Sequence, residues 1–513
     1  MIRGFRNAWR LLAIARILAR HDALFGLEQL GVARTVVLAA RLLGRGDPAV
    51  TDGRPGERLA RALQEAGPSF IKVGQALSTR SDLLGEEMAA DLSTLQDSLE
   101  PFSGDQARDA IEAEFQAPVE SLFRVFDDTA IAAASIAQVH FAETIDGREV
   151  AVKILRPDIE EAFEADLDLF FWVAQLVERA RPQWRRLKPV ASVETLAETV
   201  ALEMDLRFEA AAAAELAENF ADDDTFDVPE VDWPLTGRRV LTMARIIGIP
   251  LDDRAAVIAA GHDPEEVLTC AAVAFFHQIF RDGFFHGDLH PGNLFVEESG
   301  AIGAVDFGIM GRLDRHTRRH LGEMLLAFLS RDYRRAAQVH FEAGWVPFDK
   351  SVEAFTQACR SIGEPILDRP QNEISIAKLL AQLFQVTETF QMEAQPQLLL
   401  LQKTMLVAEG TGRSLAPDAN MWLLARPLIE DWIAETFSPD AVLREGAADV
   451  ASTLSRLPNI LDGMEKSAAA LQDGRVRLHP DTISALNRRD DKRNALWVWC
   501  VVLFCTLAIF VIW

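Results

Sequence analysis

The chain has 513 residues, 49% of them hydrophobic, and a formal net charge of −25. This apolar content supports a large core and excludes wholesale disorder, and the length allows two or three domains or one larger unit with extensions. The acidic balance excludes the domain-wide basic surface of nucleic-acid-binding proteins, so we expect no nucleic-acid partner. The four cysteines show no paired spacing, which fits a reducing compartment and favours neither a disulfide framework nor a zinc site.

The first twenty residues contain five arginines and no acidic residue. On a helical wheel the arginines fall in one arc of about 140°, with Leu11, Ile14 and Leu18 opposite. This pattern indicates either a helix lying on an anionic membrane surface or a solvated basic face, and the sequence leaves both open. We assign residues 1–45 to a basic, membrane-proximal helical segment.

Residues 46–118 are predicted to form a helical extension. Pro68 suits the first turn of a helix, and Lys72 and Gln75, three residues apart, share one face of it. Gly74 costs about 1 kcal/mol relative to Ala inside a helix, so we expect it to permit close packing against another backbone.

Two extended runs, Ser135–Phe141 and Glu149–Leu155, flank an Asp146-Gly147 turn and predict a β-hairpin. Lys153 lies on the second strand, where the lysine of a kinase reaches the α- and β-phosphates of the nucleotide. Another strand is predicted near residues 240–243. Residues 119–245 are therefore assigned to a kinase-like N-lobe with inserted helices.

The segment before the hairpin occupies the position of a glycine-rich phosphate loop but contains no glycine. Each alanine restricts φ, so the loop is expected to be stiffer, with the Ser135 hydroxyl as an extra donor. On these residues alone an alanine-rich structural turn is the favoured interpretation. In the kinase context, the predicted nucleotide-binding residues are Ala130, Ile131, Ala132, Ala133, Ala134, Ser135, Ile136, Ala137, Gln138, Lys153 and Glu209.

Two acidic residues, Glu203 and Glu209, are predicted to lie on one helix that begins near Ser192. Six residues of helix place them about 120° apart, so they can serve different partners, one of which could be Lys153. A solvated acidic face is the alternative on these residues alone.

The most specific signal is the run from His286 to Asn293, followed by an Asp-Phe-Gly triplet. Asp288 and Asn293 lie five apart and Asp306 lies eighteen after Asp288, as in protein kinases. There the first Asp accepts the proton of the substrate hydroxyl, and the Asn and second Asp are the hard oxygen ligands that Mg²⁺ requires. Residues 246–490 are assigned to a mostly helical kinase-like C-lobe.

Residues 495–513 carry no charge, and Arg488, Arg489, Lys492 and Arg493 precede them. A helix of this length reaches about 28 Å, close to the hydrocarbon thickness of about 30 Å. The positive-inside bias predicts a transmembrane anchor with the folded domain on the cytoplasmic side. A buried core helix is the alternative.

Three motifs together give the chain a family resemblance. They are Lys72-x-Gly74-Gln75, the alanine-rich loop at residues 132–135, and Glu203-x-Asp205. With the kinase-like loops, this set resembles the UbiB-type atypical kinases of ubiquinone biosynthesis. The resemblance implies a kinase-like core whose N-terminal extension folds over the site and excludes protein substrates. It further implies that Lys72 contacts Glu203 while Lys153 pairs with Glu209, which makes Lys72 and Glu203 catalytic candidates beside Asp288.

The same resemblance implies ATP and Mg²⁺ as cofactors and an activity that supports ubiquinone synthesis. The implied partners are the membrane and the ubiquinone-biosynthesis enzymes or prenylated quinone intermediates, at the inner membrane of a bacterial cell; a homodimer is left open. The chain departs from the family at Ala130 and Gly85, where many members have Pro. It has room for one C-terminal membrane segment where the family pattern suggests two.

The predicted fold class is therefore α+β: a two-lobed, mostly helical kinase-like fold with an N-terminal helical extension and a C-terminal transmembrane helix. One alternative function is a small-molecule phosphotransferase of the aminoglycoside or choline kinase type, which would leave Lys72-x-Gly-Gln unexplained. A second is a nucleotide-gated scaffold that binds prenyl lipids without significant catalysis, although a complete set of Lys, Glu, Asp, Asn and Asp favours an active site.

Overall fold

The computed structural model describes most of the first 436 residues. The described residues are 2–24, 53–78, 88, 91–92, 95, 100–180, 189–365, 382, 385–387, 389–392, 395–417, 419 and 421–436. The chain divides into two units, residues 1–433 and 434–513, and the site discussed below belongs entirely to the first. The predicted transmembrane segment at 495–513 and most of the linker near residue 46 lie outside the described residues.

The strands are short, and most of them belong to two sheets. In chain order they are β1 (Phe123–Phe126), β2 (Ala132–Ala133), β3 (Ala137–Thr144), β4 (Glu149–Leu155), β5 (Phe226–Asp227), β6 (Val240–Ala244), β7 (Ile249–Pro250), β8 (Phe284–His286), β9 (Leu294–Val296), β10 (Ile302–Ala304) and β11 (Met310–Arg312). A five-stranded sheet has the order β1-β3-β4-β6, with β2 paired to β3; a four-stranded sheet has the order β5-β10-β9-β7; and β8 pairs with β11.

The predicted hairpin is confirmed as strands β3 and β4, which run antiparallel with Phe141 opposite Ala151. Its turn contains Gly147 at φ +89°, a left-handed conformation that glycine adopts without strain. The first strand begins at Ala137, two residues later than predicted, because the Ala134 amide donates to the Ala137 carbonyl and closes a turn before it. The predicted strand near residue 240 is also confirmed.

Helices make up most of the described chain. In chain order they are α1 (Ile2–Arg20), α2 (Pro55–Ala66), α3 (Pro68–Ser78), α4 (Gly104–Phe115), α5 (Val119–Leu122), α6 (Ile159–Ala180), α7 (Pro189–Glu203), α8 (Leu206–Asn219), α9 (Arg254–Ala259), α10 (Pro264–Phe276), α11 (Arg315–Leu329), α12 (Tyr333–Glu342), α13 (Val352–Gly363), α14 (Pro396–Leu415) and α15 (Met421–Thr436). Residues 246–490 are predicted to be mostly helical; the structure also has strands β8 to β11 there, whose three-residue length is too short to show a period of two.

The N-terminal helix α1 packs against the protein through both of its faces. Leu11 and Leu18 are buried, and Leu11 belongs to a cluster with residues of α2, α3 and α6. On the other face, the Arg6 guanidinium donates to Asp168 at 3.2 Å and that of Arg10 to Asp166 at 2.7 Å. The carboxylates of α6 thus bind two arginines for which the sequence left a membrane surface or solvent as alternatives.

The largest core cluster lies between the sheets and the helices that follow them. It combines buried residues of α8 and α10 with those of the short strands, among them Leu206, Ala213, Leu294, Ile302 and Phe307. Because β8, β9 and β10 are anchored in this core, the loops between them have fixed positions.

Within the described ranges, every helix is too short or too polar to cross a bilayer.

Candidate nucleotide-phosphate site

The centre of the site is the ammonium of Lys153, which lies between two carboxylates. Its Nζ donates to Glu209 Oε1 at 2.7 Å and Oε2 at 2.9 Å, and to Asp306 Oδ1 at 2.8 Å. Lys153 and Glu209 are largely buried, whereas about half of the Asp306 side chain (47%) is exposed. The structure therefore joins three residues that are predicted from separate motifs, and it leaves the Asp306 carboxylate accessible to a ligand.

Each of these side chains is positioned by its own element. Lys153 lies on β4, hydrogen-bonded between β3 and β6, where Val139 and Leu241 are its register partners. Glu209 lies in the first turn of α8. Asp205 is the N-cap residue of this helix, and its side chain accepts a hydrogen bond from the Arg207 amide.

The prediction of one helix carrying both Glu203 and Glu209 is wrong. Glu203 is the last residue of α7, which begins at Pro189 and not near Ser192, and Asp205 interrupts the helical path in an extended conformation. The physical reason is that an N-cap Asp satisfies an amide that would otherwise need a preceding helical turn. The two glutamates are therefore separated by a helix break, and the angle of about 120° expected for one helix does not apply.

Electrostatics keep the charges of this cluster in place. Burial opposes a charge on Lys153, but Asp306 and Glu209 raise the pKa of its ammonium above the usual range. Lys153 holds the pKa of Asp306 well below its usual range, and the charge of Lys72 adds to the effect. Burial raises the pKa of Glu209, with Lys153 opposing. The ionised form of Glu209 thus depends on its contact with Lys153.

The loop at residues 286–293 matches the catalytic loop of protein kinases and is called the catalytic loop below. His286, which is fully buried, holds it in place. Burial lowers the pKa of this imidazole, so it is neutral, with Nε2 donating to the Val305 carbonyl and Nδ1 accepting from the Asp288 amide at 3.1 Å. Asn293 Nδ2 donates to the Asp288 carbonyl at 3.1 Å. These bonds hold Asp288 and Asn293 in one loop and attach that loop to the residue before Asp306.

The Asp306 backbone is in a left-handed conformation, with φ +65°. This region is unfavourable for most side chains and costs about 1 kcal/mol, so the surroundings must enforce it. The Val305 amide donates to the Asn293 carbonyl at 3.0 Å, and Phe307 is buried with its ring 5.6 Å from that of His286. The Phe of the triplet therefore anchors the loop while its Asp faces Lys153.

The donor chemistry of Asp306 and Asn293 fits a magnesium ion. Both supply oxygen, and the bond from Asn293 to the catalytic loop uses its nitrogen. Among the described residues, no three His, Cys, Asp or Glu side chains are grouped closely enough to hold a metal by themselves. An ion here would therefore need phosphate oxygens or water as further ligands, as Mg²⁺ sites in nucleotide enzymes generally do.

The alanine-rich loop is an edge of the first sheet. Ala132 and Ala133 form β2, and the Ala134 carbonyl accepts two hydrogen bonds from the Arg156 guanidinium, at 3.1 and 2.9 Å. Ser135 is buried, and its Oγ has no hydrogen-bond partner in the part of the chain that the structure describes. The predicted donor role of the Ser135 hydroxyl towards a nucleotide stays a prediction, while Ala130 is partly exposed and the side chain of Ile131 is exposed.

The structure gives Gln138 another role than the predicted nucleotide contact. Its amide Oε1 accepts from the Phe102 amide at 2.9 Å, and Nε2 lies 3.2 Å from the Phe102 carbonyl and 2.7 Å from His140 Nε2. Gln138 is buried because it lies on the inner face of β3. Ile136 and Ala137 pack against the central core cluster, so their side chains are structural too.

The Lys-x-Gly-Gln helix α3 contributes a second ion pair. Lys72 Nζ lies 2.9 Å from Glu203 Oε2, with both side chains mostly buried. A Cβ added at Gly74 would lie 2.3 Å from Leu95 Cδ1 and 2.8 Å from Leu63 Cδ1. The glycine is thus needed for close packing as predicted, although its neighbours are side chains and not another backbone.

Two residues of the site are not predicted by the sequence analysis. Arg156 binds the alanine-rich loop, and Lys403 Nζ on α14 lies 3.2 Å from Asp288 Oδ1. Arg156 follows the second hairpin strand closely enough that its proximity to the loop is foreseeable. Lys403 lies 115 residues from its partner, beside a leucine run that predicts only core, and no local spacing indicates the contact.

Comparison with known proteins agrees with this geometry. Residues 94–340 match the model of the ABC1 atypical kinase-like domain and residues 359–420 that of the UbiB helical domain. The chain is 44% identical over 409 residues to the "Probable protein kinase UbiB" of Marinobacter nauticus, covering 79% of this chain and 75% of that protein. It is 40% identical over 463 residues to the protein of that name in Photobacterium profundum, covering 89% and 85%.

A solved structure shares the fold. It is the complex of Rv3197 with erythromycin from Mycobacterium tuberculosis, 27% identical in sequence with a TM-score of 0.51, covering 70% of this chain and 91% of that one. The predicted kinase-like, mostly helical fold is confirmed by this likeness and by the family model. Together with the relatives above 40% identity, these matches show that the chain belongs to the UbiB family of ABC1 atypical kinase-like proteins.

Proposed function

We propose that this protein is an Mg²⁺-dependent ATPase or phosphotransferase that supports ubiquinone biosynthesis at the cytoplasmic face of a bacterial inner membrane. The observation that carries the catalytic part is the contact of Lys153 with both Glu209 and Asp306. In active protein kinases the corresponding lysine, glutamate and Asp-Phe-Gly aspartate must all be in place for phosphoryl transfer. The link to ubiquinone comes from the motif resemblance to the UbiB-type atypical kinases, and the relatives named as probable UbiB protein kinases agree with that resemblance.

In the proposed reaction, the oxygen of water or of an acceptor hydroxyl attacks the γ-phosphorus. The bond from that phosphorus to the bridging oxygen breaks, ADP leaves, and the proton of the attacking hydroxyl passes to Asp288. Lys153 holds the nucleotide phosphates, with Glu209 fixing the position of its ammonium. Asn293 and Asp306 would hold Mg²⁺, which neutralises the phosphate charge when bound.

The extension bearing Lys72 supports a small or lipid-soluble acceptor over a protein acceptor. The Lys72 ammonium pairs with Glu203, and it is close enough to Asp306 to lower the pKa of the Asp306 carboxyl. We propose that α3 covers the site in this way, with prenylated quinone intermediates or their enzymes as the partners. The uncharged segment at 495–513, outside the described residues, would supply the membrane anchor.

Substitution of Asp306 by Asn tests the phosphate site. An amide cannot replace the carboxylate charge at Mg²⁺, so the Asp306→Asn variant is expected to lose the thermal shift that Mg-ATP induces and the ATPase activity, while its Tm without ligand stays close to that of the unmodified protein. Asp252→Asn, at an exposed carboxylate outside the site, is the matched control. A full nucleotide-induced shift in Asp306→Asn would contradict the metal assignment.

Quinone intermediates test the biological part. Cells that lack the protein are expected to contain less ubiquinone and to accumulate a prenylated precursor of it, and the Asp288→Asn variant should fail to restore ubiquinone. Full restoration by Asp288→Asn would favour the scaffold alternative. Metabolite-dependent ADP release in a substrate screen, with normal ubiquinone levels, would favour a small-molecule phosphotransferase.

A further inference from the structure

A lysine of the C-terminal helical region lies against the proposed proton acceptor. Lys403 Nζ is 3.2 Å from Asp288 Oδ1, and the Lys403 side chain is 39% exposed against 26% for Asp288. Lys403 belongs to the region that matches the helical-domain model, while Asp288 belongs to the kinase-like region. The two parts of the chain therefore meet at the reacting carboxylate.

The position of Lys403 is fixed by the residues around it on α14. The Thr404 hydroxyl, fully buried, lies 2.9 Å from the carbonyl of Gly287, the residue before Asp288. A Cβ added at Gly287 would lie 3.1 Å from Leu400 Cδ1, so the loop and the helix are in close contact. One face of α14 carries Leu400, Lys403 and Thr404. This face packs against the catalytic loop.

The other two lysines of the site pair with other carboxylates. Lys153 binds Glu209 and Asp306, and Lys72 binds Glu203. His290, two residues after Asp288, accepts the Gly292 amide at Nδ1 and caps a short 3₁₀ turn. Among the described residues, Lys403 is therefore the cation that contacts Asp288.

We propose that Lys403 is a further catalytic residue, whose ammonium bonds Asp288 and an oxygen of the phosphoryl group in transfer at the same time. This inference rests on the proposed function. A lysine ammonium carries three donors on a flexible stem, so it can keep Asp288 oriented and still contact a phosphate oxygen. In a loose transition state charge accumulates on the phosphoryl oxygens, where a nearby cation stabilises it most.

The experiment compares Lys403→Met with Lys403→Arg in the full-length protein, using ATPase kinetics with Mg-ATP as the only substrate. Loss of one charge at a transition state costs about 10² in kcat, so Lys403→Met should lower kcat by about that factor with a KM for ATP within about threefold of normal. Lys403→Arg keeps the charge and should retain the larger part of kcat. Lys350→Met, which removes a lysine bonded to Gln391 outside the site, is the control and should behave as the unmodified protein.

A purely structural role for this helix face is tested by Thr404→Val. That variant loses the hydroxyl at the Gly287 carbonyl and should lower Tm more than Lys403→Met does, with a smaller loss of kcat. If Lys403→Met lowers Tm and kcat only as much as Thr404→Val, Lys403 is a packing residue and the inference is wrong. Increased turnover in Lys403→Met would also overturn it, because Lys403 would then be a brake on Asp288.

Different results would overturn the role of Lys403 and the proposed function. Unchanged kcat in Lys403→Met, beside loss of nucleotide binding in Asp306→Asn, overturns the role of Lys403 alone. An unmodified protein that neither binds nor hydrolyses Mg-ATP overturns both.

Discussion

Individual lysines divide the work of this site between different carboxylates. Lys153 neutralises Glu209 and Asp306, whereas Lys72 pairs with Glu203 at 2.9 Å. Because both lysines are largely buried, each leaves an uncompensated carboxylate if it is removed. The consequences should still differ, since Lys153 lies on the sheet of the kinase-like core and Lys72 on helix α3, which we propose covers the site.

Lys72→Ala should abolish biological function without unfolding the protein. Breaking a buried ion pair from one side costs about 3 kcal/mol, but this cost is local and loosens the contact between α3 and Glu203. We expect altered nucleotide preference or autophosphorylation, measured as phosphate transfer from labelled ATP, together with failed complementation. Lys153→Ala should instead only weaken ATP use.

Lys72→Arg is the matched control, because it keeps the charge next to Glu203 and should complement at least partly. If Lys72→Ala behaves as the unmodified protein in both assays, the Lys-x-Gly-Gln helix only packs and does not cover the site.

Asp223, a carboxylate outside the site, contributes to stability in acid. Burial alone would raise the pKa of Asp223, but hydrogen bonds from Thr225, Arg281 and His277 lower it to about 2. Between its unfolded value near 4 and about 2, the unfolded chain binds more protons than the folded one, so the contribution is present above about pH 4 and lost as the pH falls towards 2.

Asp223→Asn should therefore lower the free energy of unfolding by about 2 kcal/mol at pH 7, and by less at pH 3.5. Urea denaturation at both pH values measures the difference. An equal loss at the two pH values would show that lost hydrogen-bond geometry, and not the charge of Asp223, causes it.

At the scale of elements, the break between α7 and α8 decides the geometry of the site. Asp205 ends one helical path and caps the next, so Glu203 can face Lys72 while Glu209, four residues into the new segment, faces Lys153. A continuous helix would have held the two glutamates at a fixed angle. The Glu-x-Asp motif is thus a helix cap as well as an acidic pair.

Asp205→Ala should destabilise the protein by about 1 kcal/mol, the usual value of an N-cap, and lower ATPase activity by displacing Glu209. Urea denaturation and steady-state kinetics measure the two effects. Arg207→Ala separates the cap from the ion pair, because it removes the exposed guanidinium that donates to Asp205 and keeps the Arg207 backbone amide that forms the cap. Equal effects of the two substitutions would show that the ion pair matters and the cap does not.

At the scale of the whole molecule, the proposed function requires attachment to a membrane. In the basic helix α1, Arg6 and Arg10 pair with acidic residues of α6. We therefore propose residues 495–513, and not α1, as the membrane anchor. Location would matter because prenylated substrates concentrate in the bilayer.

Truncation before Ala495 should leave a folded protein that still shows the Mg-ATP thermal shift but no longer restores ubiquinone. The expected reason is that the segment supplies location and no catalytic side chain. Fractionation with an alkaline carbonate wash measures the attachment. Full membrane retention of the truncated protein after that wash would contradict the anchor.

The sequence by itself determined the hairpin and the kinase-like loops, because these depend on local information. An Asp-Gly turn between alternating strands needs only its own residues, and the spacing of Asp288, Asn293 and Asp306 is fixed along the chain. Contacts between distant segments could not be read from spacing: Lys72 and Lys153 were paired with Glu203 and Glu209 only through the family resemblance.

Only the tertiary structure decided how α1 packs, where the helix breaks at Asp205, and that Lys403 contacts Asp288. The arginines of α1 form one basic face in sequence, but acids more than 150 residues away bind two of them. Capping by Asp205 competes with a continuous helix, and a distant segment supports the break, because the Leu206 amide donates to the Arg238 carbonyl at 2.9 Å. The contact of Lys403 with Asp288 spans 115 residues and exists only because the whole face of α14 is applied to the catalytic loop.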